Sequence, residues 1–400
     1  MKRGFWTFRY ALINITYYAG FCTIHAYAAV YLLSHGFTNT GVGLLLAFSN
    51  ILSAILQPFI AGMIDKPGPL TNRRYILISI ALIALCSLLL MVIPSIKAAV
   101  FILYFILYTV QFVYQPVVTA LNFEYEKAGC NIQFGLARGL GSAGFAVTSV
   151  FIGGMVEENG AHILLIANLI IMAVSAVAAF TFIKPEGDAA GISGPAEEIG
   201  SPHNDLAGFA RTYPAFMLFL AGTVCFFFAH NMINDFLIQI IRNLGGAETE
   251  LGYATFLAAI LELPVMAAIG LILKKISADR LMVFSGAAFL VKTLILVFAT
   301  QLAAMFLSQA FQMFAYAIFV PASAYYVSET MEELDQVKGQ AYVSSAITVG
   351  GVFSNLICGG ILDNFGVRPM LITGSAVCAA GVITAMAALI MQSGLKKAEA

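Results

Sequence analysis

Two stretches of the chain, 206 residues apart (359 minus 153), have nearly the same form. They are GGMVEENG from Gly153 to Gly160 and GGILDNFG from Gly359 to Gly366. Each closes a run of about twenty apolar residues, the length that crosses a bilayer as a helix. The same offset pairs Gly144 with Gly350 and Pro58 with Pro264, each inside another apolar segment. An offset of about half the chain means two structural halves built to one plan. In a membrane protein, parallel halves of this kind build a site between them and rock to open it to each side in turn.

Composition supports a membrane setting. The 400 residues are 60% hydrophobic and 10% charged, with mean hydropathy +0.90. Soluble domains carry about 25% charge and about 45–50% apolar residues. A net charge of −1 gives no attraction to nucleic acid. The six cysteines, Cys22, Cys86, Cys130, Cys225, Cys358 and Cys378, lack metal-ligand spacing and read as small packing residues. The apolar run Phe5 to Leu33 is too long for a signal-peptide core and reads as a spanning helix, so no cleavable signal is expected.

Hydropathy predicts twelve helices: 5–33, 39–64, 74–95, 98–123, 135–157, 161–183, 213–241, 250–273, 280–299, 301–328, 339–362 and 368–393. The stretch from Lys184 to Arg211 is rich in Gly, Pro, Ser and acid, which predicts a flexible linker. The expected domains are a six-helix bundle over 1–184, a linker over 185–211 and a second bundle over 212–400. With alternating spans, fourteen basic residues fall on the side of both termini and the linker, among them Lys66, Arg73, Arg74, Lys127, Lys274, Lys275 and Lys338. Only Lys97, Arg242 and Arg368 fall opposite. The positive-inside rule therefore makes both termini cytoplasmic.

Some charges fall within spans. Arg9, Arg138 and Lys292 lie in helices 1, 5 and 9; Asp235 and Glu262 lie in helices 7 and 8; Glu124 and Glu126 end helix 4. A charge at bilayer depth costs roughly 2.5–3.5 kcal/mol on insertion scales and faces a wet cavity or an opposite charge. Glu262 stands two residues before Pro264 in an otherwise apolar helix. A carboxylate removed from water favours its protonated form, so Glu262 reads as a proton or substrate site, or as half of a structural pair with Lys292. Asp235 is the other acid able to couple protons. Arg138 follows Gly135 and precedes Gly139, Gly141 and Gly144. It reads as a ligand for hydroxyls or carboxylates, or as an anchor snorkelling to the cytoplasm. Arg9, nearer its helix end, reads as snorkelling. In the loop after helix 2, Asp65 with Arg73 and Arg74 forms either a cytoplasmic charge latch or a solvated turn.

Polar stripes predict a wet path. Helix 4 carries Tyr104, Tyr108, Gln111 and Gln115 on one face, with Asn122 and Glu124 beyond. Helix 7 carries His230, Asn231, Asn234 and Asp235; helix 10 Gln309, Gln312 and Tyr316; helix 11 Ser344, Thr348 and Asn355; helix 1 Asn14, Tyr17, Tyr18 and His25. Any one of these reads as interhelical glue; five helices with such stripes read as solute-binding. Amides and phenols suit a hydroxyl-rich solute such as a sugar or nucleoside. The histidines could titrate near neutral pH, though packing is the commoner role of a lone histidine.

With these residues in view, the chain resembles the major facilitator superfamily. The Asp65-Lys66-Pro67-Gly68 turn followed by Arg73 and Arg74 is similar to the superfamily motif after helix 2. Ala61 stands where that motif has glycine, and Pro67 to Asn72 lengthen it. More narrowly the chain resembles the lactose-permease-like branch of oligosaccharide–proton and nucleoside–proton symporters. The carriers of that likeness are Phe5-Trp6-Thr7-Phe8, Gln57-Pro58, FGLARGLGSAGFA in helix 5, Glu262-Leu263-Pro264, Lys292, and the glycine pairs of helix 11. The resemblance implies hydroxyl binding by Arg138 and proton coupling near Lys292, with Glu262 one turn beyond the helix 8 acid of lactose permease, whose place is Ala259. It also shows gaps. The helix 10 histidine and glutamate of lactose permease are Gln312 and Ala315 here, and its helix 4 glutamate falls near Thr119 or Ala120.

The resulting expectation is an all-α membrane protein with twelve transmembrane helices in two pseudo-symmetric bundles, a monomer in a bacterial cytoplasmic membrane. It is a secondary transporter importing an oligosaccharide or similar hydroxylated solute with protons. Glu262, Lys292 and Asp235 handle the proton. Arg138, Asn231, Asn234, Gln312, Gln111, Tyr108, Asn122, Glu124, Tyr18 and His25 bind solute. Alternatives are nucleoside symport, efflux of sugars or drugs, and a non-transporting sensor. No cofactor, metal or nucleic acid is expected. The chain shows no nucleophile–base pair for an enzyme and no GxxxxGK[ST] loop for ATP.

Overall fold

Hydrocarbon offers no water to satisfy backbone N–H and C=O groups, so a chain this apolar must close its hydrogen bonds within helices. The structure, a computed structural model, describes residues 3–66, 68–184 and 206–398. Among the described residues every regular element is helical. In chain order these are α1 (Arg3–Phe21, continued by Cys22–Ala26 and Ala28–Ser34), α2 (Asn39–Ile64), α3 (Asn72–Val92), α4 (Lys97–Val113, continued by Gln115–Lys127), α5 (Phe134–Asn159) and α6 (Ile163–Thr181). After the short helix Leu206–Thr212 come α7 (Pro214–Asp235, continued by Leu237–Asn243), α8 (Glu248–Ile272) and α9 (Ala278–Val297). The last three are α10 (Leu302–Ala310, continued by Phe311–Met313 and Tyr316–Thr330), α11 (Glu333–Phe365) and α12 (Val367–Ala398). Eleven of them, α2 to α12, are long and apolar enough to cross a membrane.

The expected spans match to within about four residues, except that α11 starts at Glu333 rather than 339 and α12 runs to Ala398 rather than 393. The expected linker 185–211 lies mostly outside the described residues, as does Pro67. Its last part is helical rather than extended: Phe209 on Leu206–Thr212 is fully buried against Tyr213, Phe216 and Tyr342. One buried aromatic ring anchors this segment, where composition predicted a flexible linker.

Helices α1, α4, α7 and α10 are interrupted, one in every three. In α1 the break is a π-helical turn, Cys22–Ala26. In α4 it falls at Tyr114, just before Pro116. In α7 it falls at Phe236, directly after Asp235, and in α10 it is a 3-10 turn, Phe311–Met313. Proline cannot donate to the carbonyl four residues back. Accordingly Gln57 Nε2 of α2 donates to Phe112 O at 3.2 Å. Tyr104 Oη donates to Ile24 O in the π turn at 2.7 Å, and Ser285 Oγ donates to Ala315 O beyond the α10 break at 2.7 Å.

The repeat seen in sequence is a repeat of geometry. Gly160 ends α5 at φ 86° and Gly366 ends α11 at φ 85°, a left-handed conformation that glycine adopts without a Cβ penalty. Upstream, Gly144 lets α5 approach α1: a Cβ there would lie 3.1 Å from Ile15 Cγ2 and 3.3 Å from Ile15 O. Gly350 lets α11 approach α7 more closely, because a Cβ would lie 2.5 Å from Val224 O and 2.9 Å from Phe228 N.

The chain forms two compact units, 1–189 with 245–260, and 190–244 with 261–400. Within the first, the outer part of α8 packs on α5. Ser149 Oγ donates to Gly252 O at 3.1 Å, Tyr27 Oη to Ser149 O at 2.9 Å, and Thr249 N to Glu157 Oε2 at 3.1 Å. The second is cored by aromatic rings, with Phe226 lying against Phe289 and Phe319.

Close packing makes a graded prediction. Gly350→Ala must displace backbone and is expected to cost about 1–3 kcal/mol. Gly144→Ala meets a side chain at 3.1 Å and backbone only at 3.3 Å or more, and should cost less. Nothing lies within 4 Å of a Cβ on Gly360, so Gly360→Ala should be neutral or add up to about 1 kcal/mol of helix propensity. Thermal unfolding of the three purified variants tests the order.

Candidate functional site

In the first unit the polar side chains form a cluster around Arg138. Its Nη1 donates to Ser142 Oγ at 2.8 Å, one turn along α5. Its guanidinium lies 4.0 Å from the centroid of the Tyr18 ring, within cation–π range. Tyr18 Oη accepts from Gln115 Nε2 at 3.0 Å. A half-buried guanidinium with five N–H donors is thus held by a ring face and one hydroxyl. Tyr18 is placed by Gly141, where a Cβ would lie 2.7 Å from Tyr18 Cδ2. That is the physical use of the glycine run around Arg138.

Beside this cluster lies an aromatic panel. His25, in the π turn, stacks on Phe21 with centroids 3.9 Å apart and planes 8° from parallel. Tyr108 lies 3.7 Å away, and Phe112 5.5 Å. Phe21 in turn lies 6.5 Å from Tyr18 and 6.4 Å from Phe145. His25 Nε2 is buried without a hydrogen-bond partner. The π turn brings His25 onto the ring of Phe21, four residues earlier. Sequence periodicity alone does not show that turn.

The remaining first-unit candidates lie elsewhere. Gln111 is fully buried and its side-chain amide has no hydrogen-bond partner. It sits by Gly20, whose Cβ would lie 2.9 Å from Gln111 Nε2 and 3.4 Å from Asn168 Oδ1. Asn122 is also fully buried with an unpartnered amide. Glu124 is tied to the α3 end, accepting from Asn72 Nδ2 at 2.9 Å with Lys184 3.9 Å away. The arginines of the expected latch are engaged otherwise. Arg73 donates to Ala179 O and Phe180 O, each at 3.1 Å, and Arg74 to Pro69 O. Arg9 donates to Thr181 O and lies over Phe5, Trp6 and Phe182. Arg9 and Arg73 therefore cap the C-terminus of α6, where carbonyls lack helical partners and a cation is favoured.

In the second unit three helices meet at one chain of bonds. Lys292 Nζ of α9 donates to Gln312 Oε1 of α10 at 2.6 Å, and Gln312 Nε2 donates to Glu262 Oε1 of α8 at 2.9 Å. Lys292 is fully buried and Gln312 is 4% exposed; Glu262 is half-buried. Ser308 Oγ donates to Lys292 O at 2.9 Å, fixing α9 to α10 at that level. The 3-10 turn of α10 carries Gln312 itself. Sequence placed Gln312 with the solute ligands and Glu262 beside Lys292; the structure joins all three.

On α7, Asn234 Nδ2 contacts His230 Nε2 at 2.9 Å, and the His230 ring stacks on Tyr316, centroids 5.1 Å apart. Asn231 Nδ2 donates to Phe227 O at 2.8 Å and packs against Gly351 of α11. Asp235 faces Asn355 of α11. Sequence reasoning missed Ser142, Phe21 and Phe112. Ser142 carried a usable signal, because it lies four residues after Arg138 on the same helix face. Among the described residues no group of His, Cys, Asp and Glu is placed to hold a metal ion.

This arrangement of helices and buried polar clusters is that of a multi-pass membrane transporter fold. The sequence pattern of the MFS_1 like family matches residues 7–373, and the chain belongs to that family. It is similar in fold to a mutant of the nucleoside transporter NupG, with TM-score 0.82 and 12% identity over 96% of this chain and 99% of that one. It is similar to a bacterial homolog of the human lysosomal transporter Spinster, with TM-score 0.65 and 14% identity over 97% and 93%. It is also similar to the POT family transporter PepTSo, with TM-score 0.72 and 10% identity over 98% of both chains. No functionally curated protein matches the sequence.

The capping geometry separates the two readings of the α2–α3 loop. Arg73→Ala is expected to lower stability by about 1 kcal/mol through two lost charge-assisted bonds at a partly exposed site. Asp65→Asn should leave it unchanged. Equal effects of the two substitutions on the melting temperature would restore a latch between them.

Proposed function

We propose that this protein is a proton-coupled secondary transporter of a small, hydroxylated, ring-bearing solute, working by alternating access. In this reading α1 completes a set of twelve spans, 1–184 and 212–400 are the two halves, and both termini are cytoplasmic. The protein acts as an importer, and as a carrier rather than an enzyme.

The observation that carries the reading is the bonded chain Lys292–Gln312–Glu262 among apolar helices. A buried cation and a half-buried acid at bilayer depth are costly and are retained where they move charge or bind it. Glu262 carries the proton, Lys292 responds to its charge, and Asp235 modulates it. Solute binds at Arg138, Tyr18 and Gln115, with His25 and Tyr108 beside them. An arginine with spare donors suits vicinal hydroxyls, and aromatic faces suit a sugar ring or a base.

The panel of Phe21, His25, Tyr108 and Phe112 favours a nucleoside over an oligosaccharide, because a flat base stacks on flat rings. The similarity to NupG is in keeping with that choice.

A thermal-shift panel of nucleosides, disaccharides and lipophilic cations at two pH values names the class, since a ligand of the folded state raises its apparent stability. In proteoliposomes loaded with the responding solute, Glu262→Gln is expected to abolish accumulation driven by a proton gradient and to keep solute exchange. Gradient-driven accumulation in that variant would remove Glu262 from the mechanism. A response only to lipophilic cations would turn the reading to efflux.

A further inference from the structure

We infer that Gln312 is a positioning residue for the proton site, an amide spacer that carries the charge of Lys292 to Glu262, and not a solute ligand. The inference rests on the proton-coupling reading above and deepens it.

The argument begins with donors and acceptors. A lysine ammonium has three donors and no acceptor, and a glutamine amide has one of each kind of end. Lys292 Nζ lies 2.6 Å from Gln312 Oε1, so the carbonyl end must face the lysine. One of the two amide N–H groups then points at Glu262 Oε1, 2.9 Å away. The amide is therefore not free to flip while Lys292 is charged. Each of its ends is engaged, one on each charge.

Burial fixes what this arrangement does. Lys292 and Gln312 lie away from solvent. Hydrogen bonds in series polarise one another in such surroundings, and bonds to charged groups are about twice as strong as neutral ones. While Glu262 is ionised, the series runs from ammonium through amide to carboxylate, and each bond strengthens the other. Once Glu262 takes a proton, its bond to the amide becomes a neutral one and the amide carbonyl is a poorer acceptor. Lys292 is then held less tightly. Ser308 ties the Lys292 backbone to α10, so the change is delivered at the interruption of α10.

The helices packed around this site carry other polar and titratable groups. From α7 come His230, stacked on Tyr316 of α10 and close enough to Lys292 to interact with its charge, and Asp235, which faces Asn355 of α11. From α10 comes Gln309, buried beside Ser308. From α12 comes the thiol of Cys378, 3.9 Å from Gly286 O of α9. His230 and Asp235 are the competing titratable groups.

The test needs no solute. Infrared spectroscopy of the purified full-length protein follows the C=O stretch of protonated carboxyls against pH, and Glu262→Gln identifies the Glu262 band by its loss. Asp235→Asn checks that the band is not its own, and His230→Gln that the midpoint is not set by titration of His230. Lys292→Met is expected to move the midpoint of that band by at least about one pH unit. In the Gln312→Met background the same substitution should move it by less than half as much. Gln312→Leu also removes the amide donor and adds no ionisable group, so it too must reduce the Lys292→Met shift, which covers the case where Gln312→Met does not fold. An equal Lys292→Met shift with and without the amide would mean the lysine acts through space, and the spacer role falls. Failure of wild-type proteoliposomes to accumulate any solute under a proton gradient would instead count against the symport reading, independently of the infrared result.

Discussion

The constraint on which the structure depends is that hydrocarbon satisfies no backbone polar group. A plain bundle of continuous helices meets it without help and has no chemistry. This chain departs from that solution in α1, α4, α7 and α10, and a departure can leave carbonyls for side chains to satisfy. Gln57 supplies a donor where Pro116 has none. Tyr104 supplies one to the π turn, and Ser285 adds a second donor to Ala315 O, which already accepts Phe319 N–H. The tyrosines and glutamines of the polar stripes are in part this backbone repair. Tyr17 Oη, on the face expected to be wet, donates to Gln111 O beside the α4 break at 3.0 Å.

The two halves share a scaffold and diverge in charge chemistry. Both end a long helix in a left-handed glycine, and both draw that helix onto another through a glycine. In the first, the intramembrane cation is an arginine, half-buried against a ring and a hydroxyl. Its planar fork leaves donors for a ligand. In the second the cation is a lysine, fully buried, with its ammonium on an amide. A compact ammonium suits a site where the charge itself is to be sensed. Exchanging the two would misplace both properties: an arginine on Gln312 would hold the amide through a rigid fork, and a lysine under Tyr18 would offer fewer directed donors.

Much of this was legible in the sequence, and the part that was not has a physical reason. Spans are set by bilayer thickness, so the apolar runs located α2 to α12 to within about six residues. The half-chain repeat was legible because glycines at helix ends and crossings are required by geometry. The interruptions were mostly illegible. Only α4 has a proline at its break, whereas α1 and α7 break at Tyr27 and Phe236, residues that carry no local signal. Neither Arg9 nor Arg73 read as a cap of α6, because their partners are backbone carbonyls more than a hundred residues away.

The amides show most plainly where sequence stops. Gln111 on α4 and Gln312 on α10 lie on corresponding interrupted helices of the two halves, and in sequence they are equivalent polar marks. In the structure Gln312 is bonded at both ends to opposite charges, while the amide of Gln111 is fully buried with neither end bonded. A buried unsatisfied amide costs about 1–3 kcal/mol per group. The same mark thus stands for a completed circuit in one half and an open valence in the other. That difference depends on which residues of α8 and α9 face α10, and on what lies behind α1 at Gly20. Both are products of packing between helices distant in sequence, so neither periodicity nor composition can carry them. The two amides therefore differ in what surrounds them, one bridging opposite charges and the other fully buried with both ends unbonded.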